Sequence, residues 1–525
     1  MSAVFIYEVI MKDFYIPSVR ELLDSAEKEY GDKTFIKYIQ DDTLYEKSYR
    51  EVRRDAMAVC RYLRSISGSK KHIAVAGKTS YLYIVYLLGI LISGNVAIPF
   101  SPDISVKEAI SLFNEADIDM LMYEEEFSEK ATLIVRSCER IKYNLNISGE
   151  AAFSTISKLF SDSSPLSFFS DYKVDKNECI AIIFTSGTTG KRKGVMLSTN
   201  SLVGNIMYTD YLPALGEGEV SLSVLPMYHV YCFSGDCIRN LKDGVTVCLN
   251  GELRNLSSNL KRFEPSVMRV VPMIAQSLLQ RANNMLSKHP EKSVEEVKAK
   301  VFGRNLRFLI SGGAYLSPAI VEGYKKFGII LRQGYGMTEA GCRISVPDED
   351  VSLDSVGRVI DICDVRIQDG EIQVHTPSVM LGYYKSPEET EKIFTSDGWL
   401  RTGDIGYVTD DRQLFITGRL KNIIILSGGE NVSPEAIEKK FTDVPEVSEV
   451  IVFAENDRIK AGVYPDYDYC ARNRIDDIKA AVEAKVKKMN STAKASHVIS
   501  EVLISEEPFE KTGSGKIKRK VIKVS

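Results

Sequence analysis

The chain has 525 residues, 44% hydrophobic and 26% charged, with a formal net charge of −4. Domains usually run to about 50–250 residues, so two or three are expected. A near-neutral, mixed charge with no long basic tract offers nucleic acid no footprint. Nine scattered cysteines form no CxxC pair and there are only five histidines. This pattern argues against a Cys/His metal site and for reduced thiols. The N-terminal MSAVFIYEVIMKDFYIPS meets acids at Glu8 and Asp13 and lacks the basic start and long apolar run of a leader. A cytoplasmic location is therefore expected.

Helical spacing of apolar residues covers 18–30 and 49–65, and an apolar run at 72–76 reads as a buried strand. The uncharged stretch 79–102 is long enough to span a bilayer. Gly89, Ser93, Gly94, Asn95 and Pro99 interrupt it. It reads better as a buried helix over 81–92, a glycine turn and a strand over 95–100, so no transmembrane segment is expected. The serine-rich 161–170 reads as a surface loop. CIAIIF at 179–184 and LRFLIS at 306–311 are further buried strands, the latter ending in Gly-Gly. Strands alternating with helices predict parallel α/β subdomains. From residue 356 short alternating strands with Asp-Gly turns predict a small β-rich subdomain at about 350–420. A boundary near residue 420 then opens a small α+β unit. It has helices at 434–441 and 475–489 and strands at 447–454, 459–463 and 501–504.

The sharpest local signal is FTSGTTGKRKG at 184–194, directly after a strand. Its glycines free the backbone, its hydroxyls donate, and its lysines carry charge, which together suit a polyphosphate. It is not the P-loop of NTPases, because GK is followed by Arg192 where Ser or Thr is required. A solvated Ser/Thr/Gly hairpin is the plain alternative. GYGMTE at 334–339 is likewise not a dinucleotide fingerprint, because Glu339 stands where the third glycine is required.

The 184–194 string resembles the signature loop of the adenylate-forming, AMP-binding superfamily: acyl- and aryl-CoA synthetases, peptide-synthetase adenylation domains and luciferases. Five further stretches resemble that family's motifs in the same order: SGGA at 311–314, GYGMTE at 334–339, DGWLRTGD at 397–404, GRLK at 418–421 and KTGSGK at 511–516. Within the superfamily the chain is most like acyl-CoA synthetases and fatty-acid–CoA ligases.

The resemblance implies an adenylation domain over 1–420 holding the ATP and acid sites, and a mobile lid domain over 421–525. It implies that ATP, Mg2+, a carboxylic acid and coenzyme A are the small-molecule partners. The phosphates would lie along Thr185, Ser186, Gly187, Thr188, Thr189, Gly190, Lys191 and Lys193. Gly312, Gly313 and Ala314 would border adenine, with Gly334, Tyr335, Gly336 and Met337, and Tyr335 would stack on the base. Thr338 would bond a phosphate oxygen, and Glu339 would hold Mg2+. Asp404 would accept from the ribose hydroxyls, with Arg419 beside it. Lys516 would contact the substrate carboxylate and the α-phosphate. Lys421 would be the hinge on which the lid turns to bring Gly428 and Gly429 to a pantetheine arm. Arg192 departs from the family, which usually has proline there.

Activation would proceed by attack of the carboxylate on the α-phosphate, with pyrophosphate leaving, and catalysis of such a step is chiefly positioning and charge neutralisation. PMYH at 226–229 resembles the P-x-x-H motif of CoA ligases, which implies His229 near the mouth of the acid pocket; a histidine that only packs is the alternative. Val230, Tyr231, Cys232 and Phe233 give that pocket an apolar character, which favours an acid with an apolar body over an amino acid and leaves alkyl and aryl both open, a fatty acid being the first expectation. Asp236 lies later than expected for pairing a substrate amine. Two other readings stand beside the CoA ligase: an acyl-AMP ligase that loads a separate acyl carrier protein, and an inactive homologue acting as a binding protein.

Overall fold

The computed structural model describes residues 15–170, 173, 175–186, 192–209, 215–442, 444–511 and 517–519. The first 14 residues, read above for a leader, lie outside this set. So do Gly187, Thr188, Thr189, Gly190, Lys191 and Lys516.

Helices begin where the sequence supplies caps. In Ser18-x-x-Glu21 the serine Oγ accepts from the Glu21 amide, while Glu21 accepts from the Ser18 amide. The same reciprocal box opens the helices Tyr49–Ser67, Val106–Glu115 and Val294–Val301. The uncharged helix Tyr81–Ile92 has no polar face and is buried all round. It crosses Tyr49–Ser67 closely: a Cβ on Gly89 would lie 2.5 Å from Val59. Among the described residues no helix is long and apolar enough to cross a membrane.

Among the described residues two seven-stranded sheets carry the large N-terminal part. One runs Ile330–Gln333, Phe308–Ser311, Val267–Val270, Val220–Ser223, Thr246–Leu249, Thr34–Gln40, Thr43–Ser48. Its first six strands are parallel and the last pair is antiparallel. The other runs Gly382–Tyr383, Arg192–Ser198, Cys179–Ser186, Val96–Phe100, His72–Ala76, Met120–Tyr123, Tyr143–Asn146. Their central strands, such as Val96–Phe100, are buried along their length, as parallel strands covered on both faces must be. A four-stranded antiparallel sheet of Asp364–Gln368, Glu371–His375, Leu400–Val408 and Leu414–Arg419 follows. Residues 432–502 gather a separate hydrophobic cluster around a three-stranded sheet. This is the α/β architecture expected from the alternation of strands and helices.

The serine-rich segment differs from the expected loop. Pro165–Ser170 forms a 3-10 helix. Asp162 pins the preceding turn by ion pairs with Arg53 at 3.0 Å and Arg61 at 2.5 Å, partners that no local pattern reveals.

Candidate functional site

The carboxyl ends of parallel strands point toward one region. Strand Phe308–Ser311 runs into Gly312 and Gly313, and its neighbour Ile330–Gln333 runs into Gly334 and Tyr335. The Gly334 amide donates to the Ser311 carbonyl at 3.0 Å, which ties the two turns together. The second turn is compact. A Cβ on Gly336 would stand 1.6 Å from the Cys342 carbonyl oxygen, so this position admits only glycine. The chain then tightens into the 3-10 turn Thr338–Ala340, closed by Gly341 at φ 68°.

Tyr335 and Asp404 meet across two elements. The Tyr335 hydroxyl donates to Asp404 Oδ2 at 2.5 Å. Arg419 Nε lies 2.7 Å from Asp404 Oδ1, because Asp404 and Arg419 face each other across an antiparallel strand pair. Asp404 is buried. Burial, with Asp404 next, pushes the Tyr335 phenol far above its usual value, so it stays a donor. Arg419 Nη2 also reaches Oδ2 at 3.4 Å, so Oδ1, which faces Arg419 Nε alone, is the oxygen that keeps a lone-pair site for a further donor.

Glu339 is gripped twice by a segment that sequence reading passed over. Its backbone carbonyl accepts from the Met380 amide at 2.8 Å, and its Oε1 accepts from the Tyr383 hydroxyl at 2.8 Å. Tyr383 in turn lies under Lys193, whose Nζ is 4.8 Å from the ring centroid. Lys193 also pairs with Glu389 Oε2 at 2.6 Å. Hydrogen bonds from Lys193 and Lys392 hold the Glu389 carboxyl down at about 2. Thr185 sits directly across the strand pair from Lys193, and Arg192 sits opposite Ser186 as an extended strand residue. The segment 382–389 thus joins the ends of the phosphate loop to the GYGMTE turn. A local signal existed in its GYY-x-x-PEET pattern, but its partners lie 44 and 196 residues away.

His229 is accessible to solvent and stands at the N-terminal flank of the short helix Val230–Cys232, with no side-chain capping bond to it. Its ring leans on Tyr228 at 4.6 Å. Desolvation by the surrounding protein lowers its pKa from the ordinary 6.5. The Tyr231 hydroxyl donates to the Ile310 carbonyl at 3.0 Å, and a Cβ on Gly312 would meet the Tyr231 ring at 3.0 Å. Tyr231 is therefore set beside the SGGA turn. Asp236 is not available to a ligand: it lies in the π-helical stretch Phe233–Arg239, fully buried, with Arg269 Nη1 at 2.8 Å.

Lys421 lies in the 3-10 turn Leu420–Asn422, immediately after strand Leu414–Arg419. Desolvation first, then Arg419, lowers its pKa. The C-terminal residues seat on that strand: Ser433 Oγ donates to the Thr417 carbonyl at 2.8 Å and Lys439 Nζ to the Ile416 carbonyl at 2.6 Å. Lys439 Nζ also stands 4.6 Å from the Tyr315 ring centroid. Gly428 and Gly429 are exposed in a turn anchored by Ser427 on Asp457. Their contacts lie within the C-terminal unit, away from the Tyr335–Asp404 and Lys193–Glu339 groups. Among the described residues no group of three or more His, Cys, Asp or Glu side chains could cage a metal.

The family model described as AMP-binding enzyme matches residues 23–384, and that described as AMP-binding enzyme C-terminal domain matches residues 421–524. The chain is 25% identical over 503 residues to a 4-coumarate–CoA ligase-like 9 of Oryza sativa subsp. japonica, 91% of this chain and 87% of that protein. It is 32% identical over 329 residues to the peroxisomal long chain acyl-CoA synthetase 7 of Arabidopsis thaliana, 54% of this chain and 47% of that one. It is 28% identical over 316 residues to a probable CoA ligase CCL5 of Humulus lupulus, 56% of this chain and 54% of that one. The match thus spans about half the length of the last two relatives. Among solved structures, the anthranilate CoA ligase AuaEII in complex with anthranoyl-AMP superposes with a TM-score of 0.81 at 18% identity, covering 98% of this chain and 97% of that one. ATP-bound MatB from Rhodopseudomonas palustris gives 0.79 at 22% identity, covering 95% and 97%. These two likenesses speak for the fold alone. The matched family model spans more than half of the chain, which therefore belongs to the AMP-binding, adenylate-forming enzyme family, whose relatives here are CoA ligases and acyl-CoA synthetases.

Proposed function

We propose that this chain is an AMP-forming acid–thiol ligase. It activates a carboxylic acid, a fatty acid in the first instance, as its acyl adenylate with release of pyrophosphate, and transfers the acyl group to coenzyme A. The observation that carries this reading is the convergence of family motifs on two linked groups, Tyr335–Asp404–Arg419 and Lys193–Tyr383–Glu339.

In this reading residues 1–420 form the adenylation domain and 421–525 the lid. Asp404, held by Tyr335 and Arg419, accepts the ribose hydroxyls. Lys193 and Thr185, with the loop between them, neutralise the β- and γ-phosphates, while Thr338 donates to a phosphate oxygen. Lys516 bridges the acid carboxylate and the α-phosphate. Such a site lowers the barrier by holding two anions in line and offsetting their charge. Glu339 is a single carboxylate at the turn, and Mg2+ is commonly held by one or two carboxylates together with substrate phosphates. Glu339 would hold the ion, which when bound neutralises phosphate charge. His229 and Tyr231 border the acid. After adenylation, rotation about Lys421 carries Gly428 and Gly429 toward the pantetheine arm.

The decisive experiment is acid-dependent pyrophosphate release with ATP and Mg2+, across alkyl and aryl acids, with and without coenzyme A. Release that coenzyme A accelerates is expected. Release that coenzyme A leaves unchanged would move the acceptor to a carrier protein, and no release with any acid would favour a binding protein.

A further inference from the structure

Nothing in the family motifs calls on Tyr383, yet it touches both charged sides of the phosphate region. It sits on the two-residue strand Gly382–Tyr383, paired with Val195 and Met196. Its amide donates to Thr390 Oγ1 at 2.8 Å, which fixes the backbone. The ring is buried, with 5% of its surface exposed. From that fixed position the hydroxyl donates to Glu339 Oε1 at 2.8 Å, and the ring face meets the Lys193 ammonium at 4.8 Å. With one oxygen of Glu339 committed to Tyr383, the carboxylate is oriented, and among the described residues no donor is paired with its Oε2.

We infer that Tyr383 is a positioning residue: it orients Glu339 toward a nucleotide-bound divalent cation and steadies Lys193 for the phosphates. This rests on the adenylation reading above. Outer partners that orient a carboxylate ligand typically change metal affinity by about 10–100-fold when removed. A cation over an aromatic face contributes less, about 2–5-fold at a partly exposed site. The two contributions separate by substitution, because Tyr383→Phe removes only the hydroxyl and Tyr383→Leu removes the ring as well.

The test is calorimetric titration of the full chain with α,β-methylene-ATP, with and without MgCl2, alongside a thermal melt of each variant. Tyr383→Phe should bind the analogue like the parent without Mg2+, and lose about tenfold or more of the gain that Mg2+ confers. Tyr383→Leu should in addition bind about 2–5-fold more weakly without Mg2+. On a Glu339→Gln background, Tyr383→Phe should add nothing. A full Mg2+-dependent gain in a normally melting Tyr383→Phe protein would overturn the inference. So would an additive loss on the Glu339→Gln background, which does not depend on how the single variant folds. If the parent binds no nucleotide under either condition, the adenylation reading itself falls and takes this inference with it.

Discussion

The Tyr335 hydroxyl and the Asp404 carboxylate stand 2.5 Å apart, joining a turn at the end of a parallel sheet to a strand of the antiparallel sheet. A hydrogen bond to a charged group contributes about 1.5–3 kcal/mol net. Tyr335→Phe should therefore weaken nucleotide binding by about 10–100-fold while leaving the affinity for acid unchanged. ATP and acid concentration series in a pyrophosphate-exchange assay measure the two separately. Equal losses for both ligands would show that Tyr335 supports the fold and not the nucleotide.

Asp236 and Arg269 form a pair in which neither side chain is exposed. Removing one member leaves a buried uncompensated charge, at a cost of about 3–5 kcal/mol. Arg269→Met should lose that much stability in urea denaturation. Adding Asp236→Leu should restore most of it, because a packed apolar pair of similar volume is often neutral. A double variant as unstable as the single would assign the loss to shape and not to charge.

How much of this was legible in the sequence depends on distance along the chain. The apolar spacing read over 18–30 and 49–65 is realised in the helices Val19–Tyr30 and Tyr49–Ser67, each opened by a serine and a glutamate three residues apart. The run 81–92 reads as a buried helix from its composition and forms one. Gly336 is needed because of the Cys342 carbonyl, still a local matter. Tyr383 and Glu389 are different: their roles exist only once two strands and a turn have been brought together. The Asp236–Arg269 pair is hidden for the same reason, since an arginine inside an apolar strand gives no hint of its partner.

His229 yields a pH prediction. Its folded pKa lies below the ordinary 6.5 because desolvation disfavours the imidazolium. Between those two values the unfolded chain binds more protons than the folded one, so stability rises with pH. This contribution is fully present above pH 6.5 and is lost as pH falls toward the folded pKa. The drop in thermal midpoint from pH 7.5 to about 5 should be larger for the parent than for His229→Asn. Identical drops would remove His229 from the account.

Lys421→Pro tests the hinge. The residue lies in a single 3-10 turn between strand Leu414–Arg419 and the C-terminal unit, and proline would lock its φ near −65°. Acid-dependent pyrophosphate release should survive within about threefold, while single-turnover transfer to coenzyme A should fall by at least about tenfold, as hinge changes act on conformational steps. Equal loss of both half-reactions would place the rotation elsewhere.

Ser433 and Lys439 take hold of strand Leu414–Arg419 through the carbonyls of Thr417 and Ile416. Every residue carries a carbonyl, so this seat does not depend on which side chains the strand displays. Mutational drift along its outer face leaves the two anchoring acceptors intact. Parting exposes two carbonyls that water can solvate at a net cost of about 0.5–1.5 kcal/mol each. These two attachments thus tolerate sequence change in the strand they grip and can be surrendered to solvent one at a time.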